Sequence, residues 1–164
     1  MTDETASPAP TSARVSVVME HRLLNDRWGT ETWEATGVIC DERPCAPPQV
    51  IHRDARTTRF LYTGLPVQLR RDEAEGYYLN ITSPHPRLFV LWRKDDKTAS
   101  PHHVTVSFNE GARWMDGGES VDGVPLPVEL LPWIGAYVAE HYTPEPKKAG
   151  RWASNKDKRV GFHG

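Results

Sequence analysis

The chain has 164 residues, 38% hydrophobic and 26% charged, which is enough to bury one hydrophobic core without disulfides or a structural metal. No apolar run reaches the roughly 18 residues that a membrane span needs. The first ten residues are polar and acidic, where a signal peptide would be basic and then apolar. We therefore expect a cytoplasmic protein with one domain and no membrane span.

The formal net charge of −2 is unevenly distributed along the chain. From residue 147 onward there are six basic residues and one acidic residue, a net of +5, so the rest of the chain carries −7. An acidic body offers no basic face to a phosphate backbone, which argues against nucleic acid as the main partner. The basic tail is interpreted either as a segment that attracts a partner electrostatically or as a solvated segment without a role.

Both ends of the chain are predicted to be disordered. Residues 1–12 are rich in Thr, Ser, Pro and Ala, and residues 144–164 form the basic tail, so neither segment can bury apolar area. The sequence thus predicts a single β-rich domain over residues 13–143.

The first half of this domain shows the two-residue alternation of β-strands. It begins with Val15, Val17 and Met19, and a second strand over residues 32–39 follows a turn-like segment, so the pair is predicted to form a hairpin. Residues 40–54 contain three prolines and several charges, which predicts a loop.

Four further strands are predicted over residues 60–70, 77–82, 88–92 and 104–108, the third of them apolar throughout and therefore central. A short helix capped by Asn109 follows. A longer helix runs from the segment 125–127 to about Tyr142, with Pro132 either in its first turn or at a kink. Strands first and helices last predict an α+β fold, a mainly antiparallel curled sheet of about five to seven strands with a C-terminal helix packed on it.

Sequence motifs for catalysis are missing. Neither glycine-rich phosphate-binding pattern occurs, and the Gly-x-Ser-x-Gly nucleophile pattern does not occur either. His102 and His103 are adjacent and would face opposite sides of a strand. Cys40 and Cys45 lack the spacing and the second ligand pair of a zinc site, so we expect reduced thiols. The sequence predicts no catalytic residue and no metal site.

Six tryptophans stand out in a chain of this composition. Trp28 and Trp33 flank an early turn, and large aromatics with a polar edge are favoured at interfaces and ligand pockets. Arg22, Arg27 and Arg93 lie near tryptophans in the sequence and could hold an anion. Packing in the core is the alternative interpretation for Trp92 and Trp133.

A collinear set of segments resembles a known family. The set consists of residues 17–22 (Val-Val-Met-Glu-His-Arg), Trp28, Trp33, residues 65–80, residues 88–93 and residues 124–127. Together these resemble the DUF3305 family of uncharacterised proteobacterial proteins, over roughly residues 14–146. No single motif is specific, whereas the ordered set is.

The resemblance implies an association with molybdenum-dependent formate dehydrogenases, and a non-catalytic accessory role in their maturation or assembly. Some relatives have names that suggest synthesis of molybdopterin guanine dinucleotide. A guanylyl transferase should carry a glycine-rich nucleotide loop on a parallel sheet, and this chain has neither. Transient binding of the finished cofactor, or of the apo-enzyme, is compatible with the sequence.

Two alternatives stay open from the sequence: a small enzyme with Glu20, Arg22 or His102 in a pocket, and a structural subunit of the dehydrogenase complex. An exposed aromatic patch would favour the accessory role, and a buried cleft would favour the enzyme. The candidate residues of an interface or anion pocket are Glu20, Arg22, Arg27, Trp28, Trp33, Arg70, Tyr78 and Arg93.

Overall fold

A computed structural model of the chain describes residues 10–144. The seven strands are β1 (Ser12–Leu23), β2 (Glu31–Cys40), β3 (Gln49–Arg53), β4 (Thr57–Gln68), β5 (Arg87–Lys94), β6 (Ala99–Thr105) and β7 (Ser120–Pro125). The three helices are α1 (Ala74–Ile81), α2 (Phe108–Asp116) and α3 (Leu131–His141), with 3₁₀ turns at Arg71–Glu73 and Val128–Leu130. In this part of the chain no helix has both the length and the apolar character to cross a membrane.

The strands form two antiparallel sheets. The first has the order β2-β1-β4-β3 and the second has the order β6-β5-β7. The predicted α+β class with a mainly antiparallel architecture is therefore confirmed, with the seven strands divided between two sheets. β2 lies against β7 and β4 lies against β6, which brings the two sheets together around one core.

The core is built from the apolar side chains that alternate on the strands. Val15, Val17 and Met19 of β1 are fully buried, and they share one cluster with Leu88 and Val90 of β5. β5 is the centre of its sheet, and its run of four buried residues confirms the predicted central strand.

The C-terminal helix completes this core, as predicted. Ile134 and Val138 of α3 are buried in the same cluster, one helical turn apart. Pro132 lies in the first turn of α3, where its missing N–H costs no hydrogen bond. The helix begins at Leu131, directly after the 3₁₀ turn Val128–Leu130.

The segment 77–82, predicted as a strand, is a helix in the structure. Tyr77 and Ile81 of α1 are four residues apart, a spacing that fits one face of a helix as well as one face of a strand, and Ala74, three residues before Tyr77, fits only the helix. The buried Asn80 explains why the helix packs here: its amide donates to the carbonyls of Arg87 and Val106 at 2.7 and 2.9 Å, and its oxygen accepts the Arg87 N–H. The sequence of this segment is compatible with a strand or a helix, and the hydrogen bonds of Asn80 to distant residues favour the helix.

Two strands were missed by the sequence interpretation. The predicted loop 40–54 contains β3, an edge strand whose five residues are all exposed. β7 occupies a segment for which no element was predicted. β3 has no buried residue and β7 has one, Val124, so neither shows the apolar alternation of a strand with a buried face.

Several predicted boundaries differ by a few residues. β1 starts at Ser12, inside the segment predicted as disordered. The sixth predicted strand ends at Thr105, and Phe108 already belongs to α2. Ser107, rather than Asn109, caps α2, since its hydroxyl accepts the Glu110 N–H at 3.0 Å. The remaining predictions of disorder, for residues 1–9 and 145–164, fall outside the described residues.

Candidate functional site

The loop 41–48 covers part of the outer face of the first sheet and leaves the rest open. The Ser16 hydroxyl donates to Asp41 at 3.0 Å, and the Thr63 hydroxyl donates to the Pro44 carbonyl at 2.8 Å. Gly64, at φ +78°, passes so close to the loop that a side chain would not fit there. The loop is thus fixed over one end of β1 and β4, and the opposite end of this face remains uncovered.

At that opposite end, a buried carboxylate holds two arginines. Glu20 is on the same face of β1 as Ser16 and is only 3% exposed. Arg22 donates to one of its oxygens at 2.6 Å, and Arg59, opposite Glu20 in the β1–β4 register, donates to the other at 2.9 Å. Both guanidinium groups are about half exposed, so each keeps N–H donors available to solvent.

The connection between β1 and β2 presents an exposed tryptophan on a fixed turn. The Asp26 carboxylate accepts the N–H groups of Trp28 and Thr30 at 3.1 and 3.0 Å, and Gly29 adopts φ +62° to close the turn. Hydrogen bonds from Thr30 hold the pKa of Asp26 below its ordinary value. Trp28 is 77% exposed, with the Arg27 guanidinium 5.2 Å from its ring centroid.

The neighbouring turn between β3 and β4 joins this end of the sheet. Asp54 accepts the N–H groups of Arg56 and Thr57, and these bonds, together with one from His52, lower its pKa to about 2. Arg56 in turn donates to the side chain of Asn25 at 3.1 Å, and its carbonyl accepts the Leu23 N–H. The two turns are therefore held together through Arg56.

We call this surface the arginine–tryptophan end, and it consists of Glu20, Arg22, Arg27, Trp28, Arg56 and Arg59. Across residues 10–144, no carboxylate forms an ion pair with Arg27 or Arg56. A large exposed aromatic ring beside arginines with available donors is the composition of a binding surface for a partner with acidic or polar groups.

Four of the eight predicted site residues come together here: Glu20, Arg22, Arg27 and Trp28. Trp33 does not join them, because it packs beside His21, opposite it on β1, with ring centroids 4.5 Å apart, and beside Phe60. Its indole Nε1 is buried without a hydrogen-bond partner within the described chain. Trp33 is therefore placed in aromatic packing between β1 and β4.

The other three predicted residues lie elsewhere on the molecule. Arg70 donates to Glu110 at 3.0 Å, Tyr78 packs against Tyr142, and Arg93 makes two hydrogen bonds to Glu119. The Arg93 pair lowers the pKa of the Glu119 carboxyl. These residues belong to separate contacts and do not join the arginine–tryptophan end.

Arg56 and Arg59 were missed by the sequence interpretation. Arg59 precedes the strand predicted from residue 60, and only the β1–β4 register places it opposite Glu20. Arg56 follows Asp54 by two residues in the turn between β3 and β4. This turn was not predicted, because residues 40–54 were interpreted as one loop. The apolar Leu61 lies between Arg59 and Thr63, so no alternation of polar residues marked Arg59 in the sequence.

His102 lies in a different place from Glu20. It lines an open cleft of about 140 Å³ with His103, Arg70, Glu110 and Trp114, beside Pro66 and Gln68 at the far end of β4 from Arg59. The two histidines share this cleft, contrary to expectation, because a bulge in the β5–β6 ladder leaves His102 unpaired. Glu20 and Arg22 lie near the Arg59 end of β4, whereas His102 lies near its other end. The three candidate residues of an enzyme pocket are therefore not together.

The cysteines and potential metal ligands are dispersed. Cys40 is partly buried and Cys45 is exposed, and both have free thiols. Burial, followed by the nearby Glu129 and Glu42, raises the pKa of the Cys40 thiol. Between residues 10 and 144, no three side chains of His, Cys, Asp or Glu gather closely enough to hold a metal ion.

Comparison with known proteins gives one match. Residues 14–151 match the model of a family described as protein of unknown function (DUF3305). No curated protein and no solved structure matches the chain.

Proposed function

Since the chain belongs to the DUF3305 family, we propose that it is a non-catalytic accessory protein that binds a molybdenum-dependent formate dehydrogenase during maturation or assembly. The partner is suggested by the association that the family resemblance implies. We place the docking in the cytoplasm and assign it to the arginine–tryptophan end.

The observation that carries the proposal is the exposure of Trp28 on a rigid turn. A tryptophan with 77% of its surface in water is costly to hydrate, and burial against a partner would remove that cost. The turn is fixed by Asp26, so little conformational entropy is lost when Trp28 binds. Tryptophan and arginine are also the residues most enriched among those that dominate binding energies.

The arrangement of Glu20 supports binding rather than catalysis. Both of its oxygens already accept hydrogen bonds from arginines and the residue is only 3% exposed, so a substrate has little access to the carboxylate. Arg22 and Arg59 are held in place by the same carboxylate, so their remaining donors are oriented before a partner arrives. The carboxylate therefore has a positioning role.

A second candidate ligand is molybdopterin guanine dinucleotide, bound transiently. Arginine N–H groups fit phosphate oxygens in a bidentate manner, and Arg22 and Arg59, which share the Glu20 carboxylate, would hold the pyrophosphate. The cofactor would supply the redox chemistry of the dehydrogenase, and the residues of this chain would bind and orient it.

The test uses a host strain that lacks the gene, complemented with full-length protein. Formate-dependent activity, molybdenum content and co-purification of the dehydrogenase are measured for the wild type and for Trp28→Ala. Loss of a central tryptophan costs at least about 2 kcal/mol, so binding should weaken about 30-fold. Val128→Ala is the matched control, since Val128 is 71% exposed and lies just before α3.

Normal formate-dependent activity and full molybdenum loading in the strain without the gene would contradict the functional proposal. Equal binding by Trp28→Ala and Val128→Ala would reject only the docking surface. Co-purification of the chain with the active dehydrogenase at a fixed stoichiometry would instead indicate a structural subunit. Pterin analysis of the purified chain decides the cofactor alternative.

A further inference from the structure

The first sheet has one open edge. β3 pairs with β4 on one side, and no other strand among residues 10–144 pairs with it. The opposite edge strand, β2, lies against β7 of the second sheet. Backbone N–H and C=O groups at an open edge can pair with a strand from another molecule.

The sequence of β3 lacks several of the usual protections of an edge. It reads Gln-Val-Ile-His-Arg, with no proline, lysine or acidic residue. Val50 and Ile51 are adjacent, and each has about half of its surface exposed. An open edge with exposed β-branched residues is the feature that favours pairing between strands of separate chains.

From this edge we infer that a second copy of the chain pairs with β3 in antiparallel orientation, which joins the first sheets of two protomers across a twofold axis. The register that supports this is centred on Ile51. It places Ile51 opposite Ile51 of the second copy, Val50 opposite His52, and Gln49 opposite Arg53. Apolar residues meet at the centre, and no like charges lie directly opposite each other.

The charges near the edge are compatible with this register. Arg53 of one copy is four residues, or roughly 13 Å, along the ladder from Arg53 of the other. That separation exceeds the Debye length of roughly 8 Å at physiological salt, so the repulsion is largely screened. The turn that contains Asp54 and Arg56 lies beside the uncharged Pro47–Pro48 segment of the other copy.

The structure also limits the strength of the dimer. A bulge interrupts the β3–β4 ladder at Ile51, since Val50 pairs with Phe60 and His52 pairs with Arg59. A bulge twists an edge strand and shortens the ladder that a second strand can form. A strand of five residues offers only a small interface, so we expect a weak dimer with a dissociation constant of roughly 1 μM to 1 mM.

The test is sedimentation of the full-length protein from about 1 μM to about 1 mM, a range set by the expected dissociation constant. The mass should rise from that of the 18.5 kDa chain towards that of a dimer. Ile51→Lys places two lysines opposite each other and should weaken the dimer at least about tenfold. Ile39→Lys on β2 is the matched control, because Ile39 and Ile51 are both 49% exposed.

A cross-linking experiment tests the register independently of affinity. In a chain with Cys40→Ser and Cys45→Ser, Ile51→Cys should form an intermolecular disulfide on mild oxidation, since residues opposite in such a ladder have β-carbons about 5 Å apart. Ile39→Cys in the same background should not. Monomer mass at about 1 mM, or sedimentation of Ile51→Lys equal to the wild type, overturns the inference, which does not depend on the dehydrogenase. In that case a strand of a different chain is left as the occupant of this edge.

Discussion

Carboxylates connect parts of this chain that are far apart in sequence. Glu20 holds Arg59 on a neighbouring strand, and the buried Glu73 accepts the Ser107 hydroxyl at 2.6 Å and pairs with Arg113. Asp122 of β7 accepts the Ala35 N–H and the Trp92 indole N–H, both at 2.8 Å, and so joins the two sheets. A buried charge is tolerated only with such partners.

Because the phenol of Tyr77 is buried, the stability of the fold should decrease at alkaline pH. Burial raises the pKa of Tyr77 from its ordinary 10.0 to about 12. The unfolded chain then loses this proton above pH 10, whereas the folded chain keeps it up to about pH 12. The contribution of Tyr77 to stability is therefore fully present below pH 10. Between pH 10 and 12 the free energy of unfolding should fall by about 2 to 3 kcal/mol.

The measurement is urea unfolding between pH 9 and pH 12 for the wild type and Tyr77→Phe. The variant should be less stable at pH 9, because the Tyr77 hydroxyl accepts the Arg70 N–H at 2.9 Å and donates to the Gln68 carbonyl at 3.3 Å. Its free energy of unfolding should fall less steeply with pH. Burial raises the pKa of Tyr62 as well, so both proteins retain part of the slope. Parallel curves for the two proteins would contradict the prediction.

Strands with one buried face were predictable, and elements defined by tertiary contacts were not. The alternation of β1, the apolar run of β5 and the helical spacing of α3 reflect burial that the sequence records directly. β3 and β7 have too few buried residues to show a period. In α1, Tyr77 and Ile81 fit both periods, and the choice depends on contacts of Asn80 with residues that come later in the chain.

Substitution of Gly64 tests how strongly the contact between the loop 41–48 and β4 contributes to stability. A β-carbon at Gly64 would overlap the backbone of Cys45 and lie 2.7 Å from the Pro44 carbonyl carbon, so Gly64→Ala must displace the loop. We expect a loss of at least about 3 kcal/mol in the free energy of unfolding, and faster proteolysis within the loop. Urea unfolding and limited proteolysis measure the two effects.

Gly118→Ala provides the control for backbone conformation alone. Gly118 also has a positive φ, +87°, but nothing lies near its β-carbon position. Its substitution should cost only about 1 to 2 kcal/mol, the price of the left-handed conformation. Equal losses for the two variants would show that contact with the loop contributes nothing at Gly64.

The architecture of the whole molecule was predictable as a class and not in its division into two sheets. Alternation reports which residues are buried, whereas strand order depends on pairings between distant segments. The candidate site likewise depends on strand pairings that the sequence does not reveal. The tip residues Arg27 and Trp28 are consecutive and could be named as candidates from the sequence, while Arg59 joins the candidate site only through the β1–β4 register.

The charged tail, which lies outside the described residues, is expected to act on binding and not on folding. Removal of residues 147–164 should leave the unfolding midpoint unchanged, because this segment lacks an apolar period. Affinity for the dehydrogenase should fall, and the dependence of affinity on salt should shrink, since +5 charges are lost. Binding is measured at low and high salt. An unchanged salt dependence would exclude the tail from binding.

The ion pairs of Glu20 have a kinetic consequence. Since Glu20 offsets one of the two charges of Arg22 and Arg59, this part of the surface attracts an acidic partner only weakly at long range, yet it offers oriented donors on contact. Short-range contacts of this kind govern mainly how slowly a complex dissociates. The tail, with its uncompensated charge, would govern how often the partners meet. Substitutions at the arginine–tryptophan end should therefore change the residence time, whereas truncation of the tail should change the association rate.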